Sequence, residues 1–240
     1  MADQSAAHPR RFYAVAEPRP VEEGFAVMLD GRPVRTPRQA RLVAPTQALA
    51  ALVAEEWAAQ AEVVRLPRMP ATRLAFTAVD RIAGAREETV QEMVRFAGSD
   101  LLCYRADAPA ALAERQAREW GAVLDWAKAE LGLGFRPVAG VIHQPQPQES
   151  LDRVAGLAGV VDDFTLAGLA LAAGPFGSAV LALALWRGAW DGTAAFGLSR
   201  LDEAFQEEQW GVDAEAAART QAQLAEAVML DRWFTALRQV

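Results

Sequence analysis

Between Phe164 and Trp186 the chain runs without a charged side chain, as FTLAGLALAAGPFGSAVLALALW. About 20 apolar residues suffice to cross a bilayer. The stretch therefore allows either a membrane span or a core enclosed by the rest of a globular protein. Three features favour the core. Gly174-Pro175 lies mid-segment, where proline removes a backbone donor and clashes with the preceding turn. Much of the segment is Ala and Gly, which contribute little transfer energy. Asp162 and Asp163 flank one end, and Arg187 alone the other. We expect two short buried helices joined at Gly174-Pro175, with no stable membrane insertion.

Composition agrees with that choice. The 240 residues are 52% hydrophobic and 23% charged, the profile of an ordinary globular chain. A chain of this size hides enough surface to need no metal or disulfide. Its net charge is −7, whereas a nucleic-acid binder needs a basic face, so no nucleic-acid partner is expected. Cys103 is the single cysteine; it cannot pair within the chain, and a reducing compartment fits. The first residues, MADQSAAHPRRFYAVAEPRP, have neither a secretory apolar run nor an unbroken amphipathic helix. The expected location is the cytoplasm, or the mitochondrial matrix in a eukaryote.

Periodicity divides the chain. Phe12–Val15, Phe25–Leu29, Arg32–Thr36 and Leu42-Val43 read as short strands, with Asp30-Gly31 supplying a two-residue hairpin turn. Thr46 caps a helix over 47–60 whose Leu49, Leu52, Val53 and Trp57 share one stripe. Val63–Leu66 is extended and stops at Pro67 and Pro70. Beyond that the pattern is helical: about 72–84, 87–98, 110–131, 149–162, 164–173, 177–187, 199–209 and 213–237. Ser199 and Asp213 read as N-caps. Gln144-Pro145-Gln146-Pro147 reads as a surface loop. The fold class is α+β. A small α/β unit (1–75) of antiparallel strands plus one helix precedes a larger all-α orthogonal bundle (76–240).

Little catalytic chemistry is visible. His8 and His143 have no second ligand at metal spacing, so no metal site is expected. Lys128, the single lysine, lacks the glycines of a phosphate-binding loop, and no cofactor is implied. Ser178 and Ser199 lack nucleophile-elbow context. Cys103, between Leu102 and Tyr104, reads as a buried inert thiol.

Several clusters combine aromatics with charge. They are Glu55-Glu56-Trp57, Asp100 to Arg105, and Leu201-Asp202-Glu203-Ala204-Phe205-Gln206 leading through Glu207 to Trp210-Gly211 and Asp213. Each has a plain structural reading as well. Trp57 shares an apolar stripe, Asp100 and Arg105 can cap helices or pair together, and Glu203, Gln206 and Glu207 make a polar helix face. By themselves these patterns describe a helical binding protein with an acidic face.

The same clusters, in order, resemble a family. Arg11-Phe12-Tyr13, Leu29-Asp30-Gly31-Arg32-Pro33-Val34-Arg35-Thr36-Pro37, Glu56-Trp57 with Gln60, and Met69-Pro70 with Thr72-Arg73-Leu74-Ala75 begin the match. Thr77-Ala78, Asp80-Arg81, Asp100–Arg105, Gly177-Ser178 and Leu201 through Asp213 continue it. The chain is similar to the assembly chaperones that hold the α subunit of the ATP synthase F1 head before it joins β.

That resemblance implies a non-enzymatic protein with the layout derived above and the F1 α subunit as partner. It also makes Trp57, Asp100, Arg105, Asp202, Glu203, Gln206, Glu207 and Trp210 the candidate partner-binding residues. The acidic face at Asp202, Glu203 and Glu207 would meet basic groups on α, and the free protein is expected to be monomeric. Two other readings stay open. One is a small-molecule enzyme using Asp202/Glu203 or Asp100/Arg105 in an interdomain cleft. The other is a membrane-associated assembly factor using 164–186.

Overall fold

Asp30 and Gly31 both take positive φ, 47° and 78°, the geometry a two-residue hairpin requires. They join β2 (Gly24–Leu29) to β3 (Arg32–Pro33), with Leu29 opposite Arg32. The computed structural model describes residues 9–140, 142–211 and 213–239.

The first strand lies later than the sequence suggested. It is β1 (Ala16–Val21), antiparallel to β2 with Ala16 opposite Leu29 and Val21 opposite Gly24. Pro18 and Pro20 hid it, since a proline argues against a strand except at an edge, and β1 is an edge. Phe12–Val15 instead runs beside the sheet. β4 (Val43–Ala44) pairs with β2 on the other side. α1 (Gln47–Ala58) starts at Thr46, whose hydroxyl accepts from the Leu49 N–H at 3.1 Å as expected. The same Oγ1 donates to the Ala236 carbonyl at 2.8 Å, tying this cap to the far end of the chain.

A 3-10 turn at Leu66–Arg68 leads to α2 (Pro70–Thr77), a π turn at Ala78–Ile82, and α3 (Ala83–Gly98), kinked at Ala85. A second 3-10 turn (Leu101–Cys103) feeds β5 (Tyr104–Arg105). β5 pairs in parallel with β6 (Val138–Ala139), which follows α4 (Ala110–Leu131). Two-residue strands carry no alternation to read, and this pair was not anticipated.

The uncharged segment builds the centre. α5 (Gln148–Gly159) is followed by α6 (Asp163–Phe176) and α7 (Ala179–Arg187), and every residue from Ala179 to Leu185 is buried. The break differs from expectation. Pro175 sits inside the last turn of α6, and the chain turns at Gly177 (φ 59°) and Ser178, which caps α7. Proline has no N–H, so the helix forgoes the single ladder bond to the Leu171 carbonyl one turn back, and Gly177 supplies the left-handed residue that ends it.

α8 (Gly192–Ser199), α9 (Leu201–Trp210) and α10 (Ala214–Arg238) complete the chain. α8 has apolar residues all round and showed no period to recognise. Ser199 does not cap α9; its hydroxyl donates back to the Phe196 carbonyl at 2.8 Å. Asp213 does cap α10. Gly168 lets α6 meet α10 closely, since a Cβ there would lie 2.8 Å from the Phe234 ring.

A small antiparallel sheet with one helix thus precedes a larger helical assembly. A single buried cluster runs from Tyr13 through Leu181 to Phe234. The division near residue 75 is a proposal about chain organisation, and the continuous cluster means that its two parts share a core. Among the described residues no helix is long and apolar enough to cross a membrane.

Candidate functional site

Many motif carboxylates turn out to serve the fold. Glu56, reaching from α1, accepts from the Ala71 and Thr72 N–H groups at 2.8 and 2.7 Å and from the Thr72 hydroxyl at 2.7 Å. It thereby satisfies the open start of α2, where Pro70 leaves no side-chain cap. Burial, opposed by those bonds, raises its pKa. Asp80 does similar work, accepting from the Thr36 hydroxyl at 2.6 Å and the Arg38 N–H at 3.1 Å. Trp57 lies inside, edge-to-face with Tyr13 at 5.8 Å, and its carbonyl accepts from the Tyr13 hydroxyl.

Asp100 is wholly buried. Its two carboxylate oxygens accept separately, from the Leu102 N–H at 3.1 Å and the Val180 N–H at 3.0 Å. It therefore fastens the 3-10 turn to the start of α7 and presents no surface to a partner. Burial is the largest influence on its carboxyl, raising the pKa to about 6 against the lowering effect of four hydrogen bonds. Cys103 is buried as expected, and burial followed by the Asp100 charge raises its thiol to about 12, far from a nucleophile's range. Arg105 is half-buried in β5, and its Nε has no acceptor. No ion pair joins it to Asp100 among the described residues.

α9 behaves differently. Only Leu201 of this helix is buried. Asp202 turns inward, its Oδ1 accepting from the Gln116 side-chain N–H at 2.5 Å, while Gln116 Oε1 accepts from the Ala106 N–H at 2.6 Å. Glu207 pairs with Arg200 at 2.7 Å, and Glu208 with Arg115 at 2.8 Å. These contacts hold the helix by its inner side. Glu203, Gln206 and Trp210, spaced i, i+3 and i+7 on one face, are exposed, Trp210 at 88%. Gly211 (φ 82°) then turns the chain into α10. The first half of that helix, from Ala214 to about Glu226, is largely exposed, while its second half buries one face through Leu230, Trp233 and Phe234. Acids in the first turn of α9, Asp202 and Glu203, also complement the helix dipole.

The structure thus brings Asp202, Glu203, Gln206, Glu207 and Trp210 onto one helix and places Trp57, Asp100 and Arg105 elsewhere. Sequence reasoning missed Gln116, the buried amide that seats α9. Its signal was a polar residue on the Leu112–Trp120 stripe of α4.

Two grooves bear on the enzyme reading. The larger, about 750 Å³, lies between Pro37, Pro67, Arg73, Arg81 and Leu171; a smaller one of about 390 Å³ lies beside Phe12 and Trp57. Neither is lined by Asp100 or Glu56, the two carboxyls with raised pKa values. No group of ligating side chains able to hold a metal exists among the described residues. His8 falls outside those residues. His143 Nδ1 lies 2.9 Å from the Tyr104 hydroxyl.

Motif carboxylates spent on internal struts, together with one aromatic exposed on a polar helix face, fit a protein-binding module better than a catalytic site. Residues 10–128 match the family described as ATP12 chaperone protein. Atp12 from Paracoccus denitrificans is 40% identical, with 96% of this chain and 99% of that one covered and a TM-score of 0.90. A point variant of the Paracoccus denitrificans protein gives 40% identity, 96% and 98% coverage and the same TM-score. Atu1473 from Agrobacterium tumefaciens is 43% identical over 96% of this chain and 87% of its own, again at 0.90. The chain belongs to the ATP12 chaperone family. It is a chaperone of ATP synthase assembly and not an enzyme.

Proposed function

We propose that the client is the unassembled F1 α subunit and that α9, with the exposed first half of α10, is the surface that holds it. An unassembled subunit exposes the apolar face that will later meet its neighbour, and such patches promote aggregation. A reversible cover needs apolar anchors within a polar rim. The observation supporting this reading is Trp210, 88% exposed on the same stripe as Glu203 and Gln206. A large aromatic flanked by polar groups is the usual make-up of an interface hot spot. Glu203, the acid of the stripe, suits a basic group on α.

Release in this reading is competition. The β subunit buries more of α and displaces the chaperone, so no nucleotide hydrolysis by the chaperone is needed. The free protein is a monomer and works in the cytoplasm. Capture of α by Glu203→Lys tests the face: loss of capture with unchanged thermal unfolding supports it, and wild-type capture removes it.

A further inference from the structure

The groove beside Trp57 is not used by α9, and its construction starts at Arg11. That guanidinium donates to the carbonyls of Tyr13 at 3.0 Å, Ala14 at 2.9 Å and Ala58 at 3.2 Å, and to that of Gln60. It holds the N-terminal segment against the end of α1. With Tyr13 turned inward, the adjacent Phe12 is left outside, 68% exposed. Phe12, Trp57, Leu29, Pro33 and Val34 then form an apolar trough with Arg32 and Arg35.

Its charge is one-sided. Arg32, Arg35, Arg38 and Arg41 fall close together, and the chain has no carboxylate between Asp30 and Glu55. Neither Arg32 nor Arg35 is in an ion pair among the described residues, and Arg35 donates to the Gln39 carbonyl at 2.7 Å. Asp30, the nearby acid, accepts from the Ala14 and Val15 N–H groups and is near enough to Arg32 to feel its charge, so Asp30, Arg32 and Arg35 together keep a net positive charge. The guanidinium groups of Arg32 and Arg35 thus border an apolar floor.

We propose that this groove is a second docking site, for an extended acidic polypeptide segment. An apolar side chain of the segment rests against Phe12 and Trp57, and its carboxylates pair with Arg32 and Arg35. Guanidinium and carboxylate match in planar, two-bond geometry, and the apolar floor suits a polypeptide's side chain better than a bare phosphate chain. The volume, about 390 Å³, is at the small end for binding pockets, about 300–1,000 Å³. The segment lies in the trough instead of extending the sheet, because Pro18 and Pro20 remove donors from the β1 edge. The site is independent of the client assigned to α9.

The test titrates the full chain into a fluorescein-labelled, end-blocked peptide, Glu-Asp-Leu-Phe-Asp-Glu, and its Gln/Asn counterpart, read by anisotropy. The acidic peptide is expected to bind at least about tenfold more tightly than the neutral one and to weaken about tenfold with Arg32→Glu/Arg35→Glu. Phe12→Ser weakens it too, while Trp210→Ala leaves it unchanged. Arg35 bonds one carbonyl and the Phe12 ring meets Tyr13 edge-to-face at 5.3 Å, so thermal unfolding of each variant monitors integrity. Equal affinity for both peptides, indifference to the arginine reversals, or no binding at about 1 mM would overturn the site. Tighter binding of a labelled oligothymidylate would also overturn it, by making the groove a phosphate surface.

Discussion

The Gln116 side-chain N–H donates to Asp202 Oδ1 at 2.5 Å, joining a fully buried amide of α4 to the first turn of α9. Asp202 therefore positions the helix, and the neighbouring Glu203 faces out. The two adjacent acids have different tasks because successive helix positions are turned well apart.

These tasks separate by substitution. Asp202→Ala leaves the Gln116 amide without its acceptor, which costs about 1–3 kcal/mol and lowers Tm by roughly 2–12 °C in a chain this long. Glu203→Lys, at an exposed position, costs no more than about 1 kcal/mol, through the helix dipole, and weakens client capture. Thermal denaturation and pull-down on both variants check the division; equal Tm losses would contradict it.

Glu56 holds the start of α2 from α1 through three donors. Glu56→Ala strips them of their acceptor, and a loss of about 2–3 kcal/mol is expected. Glu55, whose exposed carboxylate meets Arg232 at 2.5 Å, is the control. Glu55→Ala changes stability by less than about 1 kcal/mol. Denaturant unfolding of the pair measures the contrast.

Asp100 predicts a pH dependence. Its folded pKa, raised by burial to about 6, exceeds the unfolded value, so the folded protein binds this proton more tightly. The stabilisation linked to that proton is complete below the ordinary carboxylate value and is lost as pH rises through 6. Asp100→Asn removes the titration. It is also destabilising, since one carboxamide cannot accept from both Leu102 and Val180 at two separate atoms. Relative to this variant, the wild type loses about 1 kcal/mol between pH 5 and pH 7. Parallel urea titrations at the two pH values measure it; a gap that widens in favour of the wild type as pH rises would contradict the account.

Legibility in the sequence followed the length of the pattern. The Asp30-Gly31 turn, the Thr46 and Asp213 caps and the long helices declared themselves through local chemistry. β1 was concealed by its prolines, β5 and β6 by their brevity, and α8 by uniform apolarity. The α6–α7 break was misplaced because Pro175 marks a last turn and Gly177 the actual stop. At the candidate site, composition identified α9 as a polar face. It did not reveal that Asp202 is held across the fold by Gln116, nor that Glu207 pairs with Arg200 at the start of its own helix. Asp100 read as one motif with Arg105, yet its partner is the start of α7, far along the chain.

The central claim is that an exposed stripe on α9 captures the F1 α subunit. Co-expression of the chaperone with separate F1 α and β subunits, followed by affinity capture, measures it most directly. The wild type should retain α and not β, and Trp210→Ala should weaken α retention roughly 30-fold, the equivalent of about 2 kcal/mol, with Tm unchanged. Retention of both subunits alike, or full retention of α by Trp210→Ala, would contradict it.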